Sequence, residues 1–175
     1  KAQCENITSE EKNMTATTEN SPPAPVGHYL VLDVETQLSA QEVGGWHRAD
    51  RMRVSVAVLY DSQADAFTVY TEERMPEMLA KLASGPLIVG FNLHRFDYQV
   101  LSLYSGGKAF FKNLPTLDML QAVYDRLSYR ISLDNLAQAT LNAPKSADGL
   151  MALQWWKEGK VDDIARYCQD DVRLT

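Results

Sequence analysis

Cysteine is scarce in this sequence, and its histidines are isolated from one another. The chain of 175 residues has two cysteines, Cys4 and Cys168, which stand far apart, and three histidines, none at ligand spacing from another. A disulfide framework and a Cys/His zinc site are therefore excluded. Because disulfides persist in oxidising compartments, this pattern favours a reducing compartment and a cytoplasmic location.

Long apolar runs and a net positive charge are missing as well. No stretch approaches the ~20 apolar residues that cross a bilayer, and the polar N-terminus is not a signal peptide, so no membrane association is expected. The formal net charge of −6 argues against a protein that grips long duplexes by their phosphates. It leaves open a protein that holds a short strand end through metal ions, because clustered acids are then part of the site. The local run of positive residues over 47–53 fits either a solvated loop or a phosphate contact.

Residues 1–26 are rich in Ser, Thr, Asn, Glu and Pro and contain almost no large apolar side chains. They cannot bury enough surface to fold alone, so we interpret them as a disordered linker or leader. The chain begins with Lys1 rather than Met and stops inside a helical pattern, which indicates an excised piece of a longer protein with a truncated last helix. The folded domain is expected over residues 27–175.

Strand-like and helix-like periods alternate from Gly27 onward. The pattern predicts strands over residues 28–36, 51–61, 66–72 and 86–91, and a strand that turns into a helix over residues 113–120. Helical spacing covers residues 75–84, 94–104, 132–141, 147–159 and 160–175. Three strands, then alternating helices and strands, then a helical end predict an α/β fold with a mixed sheet flanked by helices.

Asp33 and Glu35 lie at the end of the first predicted strand. Strand side chains alternate, so these two acids share one face while Leu30, Leu32 and Val34 share the other. The end of a central strand is where open α/β sheets present their ligands. Two neighbouring carboxylates repel each other unless a cation or proton lies between them. The pair is therefore either a solvated strand end or part of a cation site.

Asp97 follows the buried run of residues 86–91 and falls in the first turn of the next predicted helix. The helix dipole favours an acid there without any functional role. Asn92 and Phe96 stand at the mouth of the same strand end, and an amide and an aromatic ring suit hydrogen bonding to a nucleotide and stacking against it.

The segment Tyr-Cys-Gln-Asp-Asp-Val, residues 167–172, carries adjacent acids on the last predicted helix. At about 100° per residue, Asp171 shares a face with Tyr167 and the apolar stripe, whereas Asp170 points toward Arg166 and Arg173. An acid on an inward stripe costs free energy unless it is paired or bound to a metal. Asp171 is thus the candidate ligand, and Asp170 is the surface charge.

These three positions together resemble the DEDD 3′–5′ exonucleases of the ribonuclease H-like superfamily, in their tyrosine branch. The first motif, Asp-x-Glu, stands at residues 33–35, and the third, Tyr-x-x-x-Asp, at residues 167–171. The second, Asn-x-x-x-Phe-Asp at residues 92–97, is most similar to the proofreading domains of family B DNA polymerases. The sister branch has a histidine one residue before the tyrosine, where this chain has Arg166. The resemblance covers residues 27–175.

The resemblance implies a ribonuclease H-like mixed five-stranded sheet, in which three antiparallel-connected strands precede the parallel strands. It implies a metal-dependent 3′–5′ exonuclease whose substrate is a single-stranded DNA or RNA 3′ end. No polymerase domain is present in the sequence. A stand-alone module, or one covalently linked to a helicase or a polymerase and associated with the nucleoid if bacterial, therefore fits equally well.

Four carboxylates without a Cys/His ligand set describe an oxygen site suited to Mg²⁺ or Mn²⁺, and the resemblance implies that two such cations bind. The resemblance implies that Asp33 bridges both ions and that Asp97 holds the second ion through water. It implies that Glu35 and Asp171 complete the site of the ion that carries the nucleophilic water. The resemblance also implies that Tyr167 orients that water; a role as the base is disfavoured, since an unperturbed phenol has a pKa near ~10.

Four further residues are expected to bind the unstacked terminal nucleotide: Thr36, Leu38, Asn92 and Phe96. Leu38 is placed to wedge between the last two bases, or is a plain loop residue, and Phe96 is alternatively a core aromatic. Asp118 is interpreted as a helix cap rather than a fifth ligand. The alternative function is a catalytically silent ribonuclease H-like domain that binds nucleic acid or protein. A phosphodiesterase that acts on short oligomers would use the same residues.

Overall fold

The computed structural model describes residues 27–143 and 149–175. The leader expected over residues 1–26 lies outside the described residues. The strands are β1 (Tyr29–Thr36), β2 (Val54–Asp61), β3 (Ala66–Tyr70), β4 (Leu87–Gly90) and β5 (Thr116–Asp118). The α-helices are α1 (Ala40–Val43), α2 (Met75–Ala83), α3 (Asp97–Leu101), α4 (Met119–Leu127), α5 (Leu133–Leu141), α6 (Gly149–Lys157) and α7 (Val161–Leu174). Segments of 3₁₀ helix cover Trp46–Arg51, Glu72–Arg74 and Lys108–Asn113.

The strands form one mixed sheet in the order β3-β2-β1-β4-β5. β1 pairs antiparallel with β2, and β2 with β3, while β1 pairs parallel with β4, and β4 with β5. The predicted α/β fold is confirmed, with three antiparallel-connected strands followed by parallel ones. Each described helix is too short or too polar to span a membrane.

The pairing of the central strand opens a crevice at its carboxyl end. β4 is paired with β1 only from Tyr29 to Val31, whereas β2 runs alongside β1 as far as Thr36. Asp33 and Glu35 therefore stand beyond the last residue that β4 covers. This is the edge of a parallel pair at which α/β sheets place their ligands.

Each face of the sheet carries its own hydrophobic core. Leu30, Leu32 and Val34 point into one cluster, which also contains buried side chains of α2 and α3. Val31 points to the opposite face, where α7 packs with Ile164 and other buried side chains. The alternation of β1 thus aims the two acids at the face that α7 covers.

The segment between β1 and β2 is more ordered than the sequence predicted. Ser39 accepts from the backbone N–H of Glu42, whose carboxylate accepts from the Ser39 backbone, and this capping box starts α1. Gly44 ends α1 with a φ of 90°, and the 3₁₀ helix Trp46–Arg51 follows. Residues 47–51 are therefore 3₁₀ helix rather than loop, and His47, Arg48, Arg51 and Arg53 are exposed to solvent, while the phosphate contact, the other interpretation of this run, stays a prediction. A helix of one turn has too few residues to show a period.

Candidate active site

β1 and α7 bring three carboxylates together on one face of the sheet. Asp33, Glu35 and Asp171 each offer a carboxylate oxygen within 4.8 Å of the others. Asp33 and Glu35 are half-buried, and Asp171 is 5% exposed. Like charges at this separation repel strongly in a partly buried site, unless a proton or a cation neutralises them.

The structure places Asp171 on the inward face of α7, as the helical period predicts. Tyr167 and Asp171 are both buried on the inner side of α7. Asp170 is on the outer side, where it accepts from Arg173 at 2.9 Å. Arg166, the other expected partner of Asp170, instead pairs with Asp163 one turn earlier.

Asp97 is the fourth acid of the predicted set, and it is buried beside Asp33. It is 2% exposed, and its Oδ1 atom has no hydrogen-bond partner among residues 27–143 and 149–175. Burial raises the pKa of Asp97 well above its ordinary value, and the negative charge of Asp33 raises it further. Asp97 does not belong to the group within 4.8 Å. The structure thus brings three of the acids to ligand distance and sets the fourth next to one of them.

Two local features position the loop that carries Asp97. A Cβ at Gly90 would lie 2.5 Å from Leu93 Cδ2 and 2.8 Å from the Leu32 carbonyl oxygen, so only glycine fits this close approach. Asp118 accepts from the backbone N–H groups of Asn92, at 2.9 Å, and His94, at 3.0 Å. It also accepts from Gln121 N at 3.4 Å as the N-cap of α4. Asp118 is therefore the predicted helix cap, and it is also a clamp on the loop, which the sequence did not reveal.

The hydroxyl of Tyr167 lies among the clustered carboxylates. Burial raises the pKa of Tyr167 far above its ordinary value, and the charges of Glu35, Asp171 and Asp33 and a hydrogen bond to Asp171 raise it further. Tyr167 therefore stays protonated and is a donor rather than a base. The Tyr167 ring packs edge-on against the ring of Trp155 on α6 at a centroid distance of 6.2 Å, and this contact restricts the orientation of the Tyr167 side chain.

Cys168 is a neighbour of the site that sequence reasoning missed. Its thiol is fully buried and donates to Asp33 Oδ2 at 3.2 Å. Burial raises the pKa of Cys168 well above its ordinary value, and the Asp33 carboxylate raises it further. The side chain is thus a neutral thiol that fixes the orientation of a carboxylate.

A cavity of about 1190 Å³ opens over the acids. Asp33, Glu35, Tyr167 and Asp171 line it, and so do all four predicted substrate contacts: Thr36, Leu38, Asn92 and Phe96. Asp97 is not among the lining residues. The structure therefore gathers the predicted substrate residues around the clustered carboxylates.

The walls of this cavity include further residues that the sequence did not single out. Trp46 is 71% exposed, and its ring stands edge-on to Phe96 at a centroid distance of 6.0 Å. Arg130 and Lys157 are the cations among the lining residues. The Gly44-Gly45 pair before Trp46 is a turn signal in the sequence, whereas no local pattern indicates a role for Arg130.

The donor set fits hard divalent cations. Every candidate ligand is a carboxylate, and oxygen ligands without thiolate or imidazole suit Mg²⁺ or Mn²⁺. A cation would relieve the repulsion among Asp33, Glu35 and Asp171, and a further cation beside Asp33 would give the orphaned Oδ1 atom of Asp97 a partner. The residues present therefore fit a divalent metal centre.

Comparison with known families identifies the fold. A family model described as the RNase_H superfamily matches residues 30–175, which is most of the chain. The chain belongs to the RNase H superfamily. Membership of this superfamily supports a nuclease-type function with a nucleic-acid substrate, and nucleases of this superfamily use divalent metals.

A solved structure shares the RNase H fold of this chain. The family B DNA polymerase of the hyperthermophilic archaeon Pyrobaculum calidifontis superposes with a TM-score of 0.65 and 17% identity, over 90% of this chain and 24% of the polymerase. The chain thus spans about a quarter of the length of that polymerase. No curated protein sequence gives a significant match. At this identity the structural likeness shows the fold alone.

Proposed function

We propose that this RNase H superfamily member is a metal-dependent 3′–5′ exonuclease that acts on single-stranded ends. The observation that carries the proposal is the gathering of Asp33, Glu35 and Asp171 within 4.8 Å, with the hydroxyl of Tyr167 among them. Residues 27–175 form the nuclease module, and the scarcity of cysteine supports a cytoplasmic location.

The carboxylates would hold two divalent cations, Mg²⁺ or Mn²⁺. Asp33, Glu35 and Asp171 would hold the first cation, and Asp97, which is buried beside Asp33, would support a second. Bound cations of this kind stabilise negative charge on a phosphodiester and lower the pKa of water. Cys168 orients Asp33 by its thiol, so that one carboxylate oxygen is fixed before any ligand binds.

Tyr167 acts as a hydrogen-bond donor in this scheme. Its hydroxyl lies among the carboxylates and is hydrogen-bonded to Asp171, so it would hold the attacking water by donating to it or by ordering it against Asp171. Attack of water at phosphorus forms a new P–O bond and breaks the bond to the 3′ oxygen of the preceding nucleotide. The products are a nucleoside 5′-monophosphate and a strand one nucleotide shorter with a 3′ hydroxyl.

The cavity supports a substrate with unstacked bases. Phe96 and Trp46 line one wall as an aromatic pair, and aromatic rings hold single-stranded bases by stacking. A volume of about 1190 Å³ exceeds the ~300–1,000 Å³ of ordinary small-molecule pockets. The cavity therefore has room for more than one nucleotide. Thr36, Leu38 and Asn92 complete the proposed contacts to the terminal nucleotide.

The wider context of the module is part of the same proposal. The polymerase match covers only 24% of that polymerase, so a linked helicase or polymerase module is proposed beside a stand-alone one. A silent nucleic-acid-binding or protein-binding domain is the alternative. The presence of Asp33, Glu35, Asp171 and Tyr167 in one cleft, with Asp97 buried beside Asp33, favours the enzyme, because a silent domain does not need them.

A degradation time course on 5′-labelled single-stranded DNA and RNA tests the proposal. We expect a ladder that shortens from the 3′ end with Mg²⁺ or Mn²⁺, is abolished by EDTA, and is absent for Asp33→Ala. A substrate series from dinucleotides to longer strands separates this activity from a phosphodiesterase of short oligomers. If the wild-type protein binds strands but leaves DNA and RNA intact with either metal, the silent domain is the better account.

A further inference from the structure

Arg130 joins two neighbouring cavities. It follows α4 and precedes α5, and it lines both the large cavity and a smaller one of about 120 Å³. Its guanidinium NH2 group donates to Asn92 Oδ1 at 3.3 Å, which ties it to a proposed substrate contact. Arg95 and Asp118 also line the smaller cavity, and none of the clustered acids Asp33, Glu35 and Asp171 does.

The charge of Arg130 is not compensated by a carboxylate of the described residues. Lys157, the other cation of the large cavity, pairs with Glu42 at 3.0 Å. Four described arginines have acidic partners, Arg53, Arg74, Arg166 and Arg173, whereas Arg48, Arg51 and Arg126 have none in the described part of the chain but line neither cavity. In the part of the chain that the structure describes, Arg130 and Arg95 have no carboxylate within 4.0 Å. The oxygens of Asp118 accept from backbone N–H groups instead.

An acidic protein that binds a nucleic-acid strand needs positively charged side chains where the phosphates of the strand lie. The net charge is −6, and the acidic cluster repels every phosphate that is not at the metal centre. A guanidinium presents several N–H donors in a fixed plane and is weakly hydrated, which suits it to bidentate contact with a phosphate. The small cavity offers a recess between Arg95 and Arg130, close to the large cavity and apart from Asp33, Glu35 and Asp171; the one carboxylate that lines it, Asp118, accepts from three backbone N–H groups.

We propose that Arg130, together with Arg95, binds a backbone phosphate of the single strand upstream of the scissile bond. The contact places the 3′ end in the acidic cleft, and Arg130 is a positioning residue rather than a catalytic one. The inference rests on the proposed nuclease function and adds a second anchoring point to it. Asn92 then orients Arg130 as well as lining the nucleotide pocket.

Salt-dependent binding tests the proposal most directly. Fluorescence anisotropy with a labelled single strand of ~12 nucleotides is measured from ~50 to ~200 mM salt, with Ca²⁺ in place of Mg²⁺. For Arg130→Ala we expect ~10-fold weaker binding at low salt and a salt slope smaller by ~0.7, the value for one lost contact to a single strand. Arg126→Ala is the matched control, because Arg126 is an exposed arginine of α4 that lines neither cavity. Arg130→Lys restores the slope but only part of the affinity, since an ammonium cannot make the bidentate contact.

Steady-state kinetics distinguish a positioning role of Arg130 from a general structural effect of its substitution. For Arg130→Ala we expect a higher KM on the oligonucleotide with kcat within ~2-fold, and unchanged hydrolysis of thymidine 5′-monophosphate p-nitrophenyl ester, which has no upstream phosphate. An unchanged salt slope, an equal loss for Arg126→Ala, or an equal loss on the ester would overturn the inference. If the wild-type protein neither binds nor degrades any strand, the proposed function itself is wrong. This outcome is seen with the wild type alone, so it is distinct from a failure of the Arg130 proposal.

Discussion

The thiol of Cys168 on α7 lies 3.2 Å from Oδ2 of Asp33 on β1, and 3.4 Å from the Asp33 carbonyl oxygen. The contact joins the two elements that supply the clustered carboxylates. It restricts the Asp33 side chain before a cation is bound, because a carboxylate with a fixed donor has fewer rotamers to lose.

Cys168→Ala is therefore expected to weaken Mn²⁺ binding by ~10-fold, the lower end of what loss of a ligand's hydrogen-bonding partner costs. Cys168→Ser keeps a donor at the same position and should bind Mn²⁺ within ~3-fold of the wild type. Isothermal titration with Mn²⁺ measures both variants. Equal affinity for Ala and Ser would show that the thiol only fills space.

Asp97→Asn is expected to stabilise the protein in EDTA. Burial and the charge of Asp33 both oppose ionisation of Asp97, so near neutral pH the folded protein must either bury this charge or take up a proton, and a neutral amide avoids both costs. We expect a gain of about 1 kcal/mol, or a Tm higher by about 2–4 °C. Addition of Mn²⁺ should raise the Tm of the wild type more than that of the variant. A variant less stable than the wild type in EDTA would mean that protein groups already satisfy the Asp97 carboxylate.

The same substitution at Asp118 should have the opposite sign. The Asp118 carboxylate accepts from three backbone N–H groups, and an asparagine in its place would turn an amide N–H toward one of them. Asp118→Asn is expected to destabilise the protein by about 1–3 kcal/mol, measured by urea unfolding. Mn²⁺ affinity should stay close to that of the wild type, because Asp118 is a clamp rather than a ligand. A loss of metal affinity without a loss of stability would instead make Asp118 a fifth ligand.

The ionisation of Glu72 makes part of the free energy of unfolding depend on pH. Burial raises its pKa, but hydrogen bonds from Arg53, Tyr104 and Gln37 lower it more, so the pKa lies below the ordinary value. A carboxyl with a lowered folded-state pKa stabilises the fold fully above its unfolded pKa of ~4.3, and this stability is lost as the pH falls through the folded value.

Glu72→Gln should therefore cost about 1–2 kcal/mol near neutral pH, and the difference from the wild type should shrink as the pH falls below ~4. Urea unfolding at several pH values measures it. Glu73→Gln is the control, because Glu73 is exposed and has no cationic partner among the described residues; hydrogen bonds from Thr71 and its own backbone also lower the pKa of Glu73, so the pH dependence of this variant is the background for that of Glu72→Gln. A difference that is constant with pH would assign the effect to packing rather than to charge.

Local periodicity was sufficient to predict much of the site. Strand alternation put Asp33 and Glu35 on one face, and the helical wheel separated the buried Asp171 from the exposed Asp170. Capping chemistry identified Asp118 as an N-cap, because the acceptor and the N–H of Gln121 are only three residues apart. Each of these inferences depends on neighbours within one or two turns of the chain.

The residues that sequence reasoning missed reach the cavity through tertiary packing. Arg130 meets Asn92 across 38 residues of sequence, and Cys168 meets Asp33 across 135. The second role of Asp118, as a clamp on Asn92 and His94, likewise spans more than 20 residues. No period encodes such contacts, because they depend on where the chain returns to the sheet.

The adjacent acids of α7 offer the most direct test of the central claim. Asp171→Asn and Asp170→Asn make the same chemical change one residue apart, one in the cleft and one on the surface beside Arg173. Both are compared with the wild type on 5′-labelled single strands with Mg²⁺, after circular dichroism has shown that both are folded. The account predicts 3′-to-5′ shortening by the wild type and by Asp170→Asn within ~2-fold, and a loss of at least ~100-fold for Asp171→Asn. Equal activity of the two variants, or shortening from the 5′ end, would contradict it.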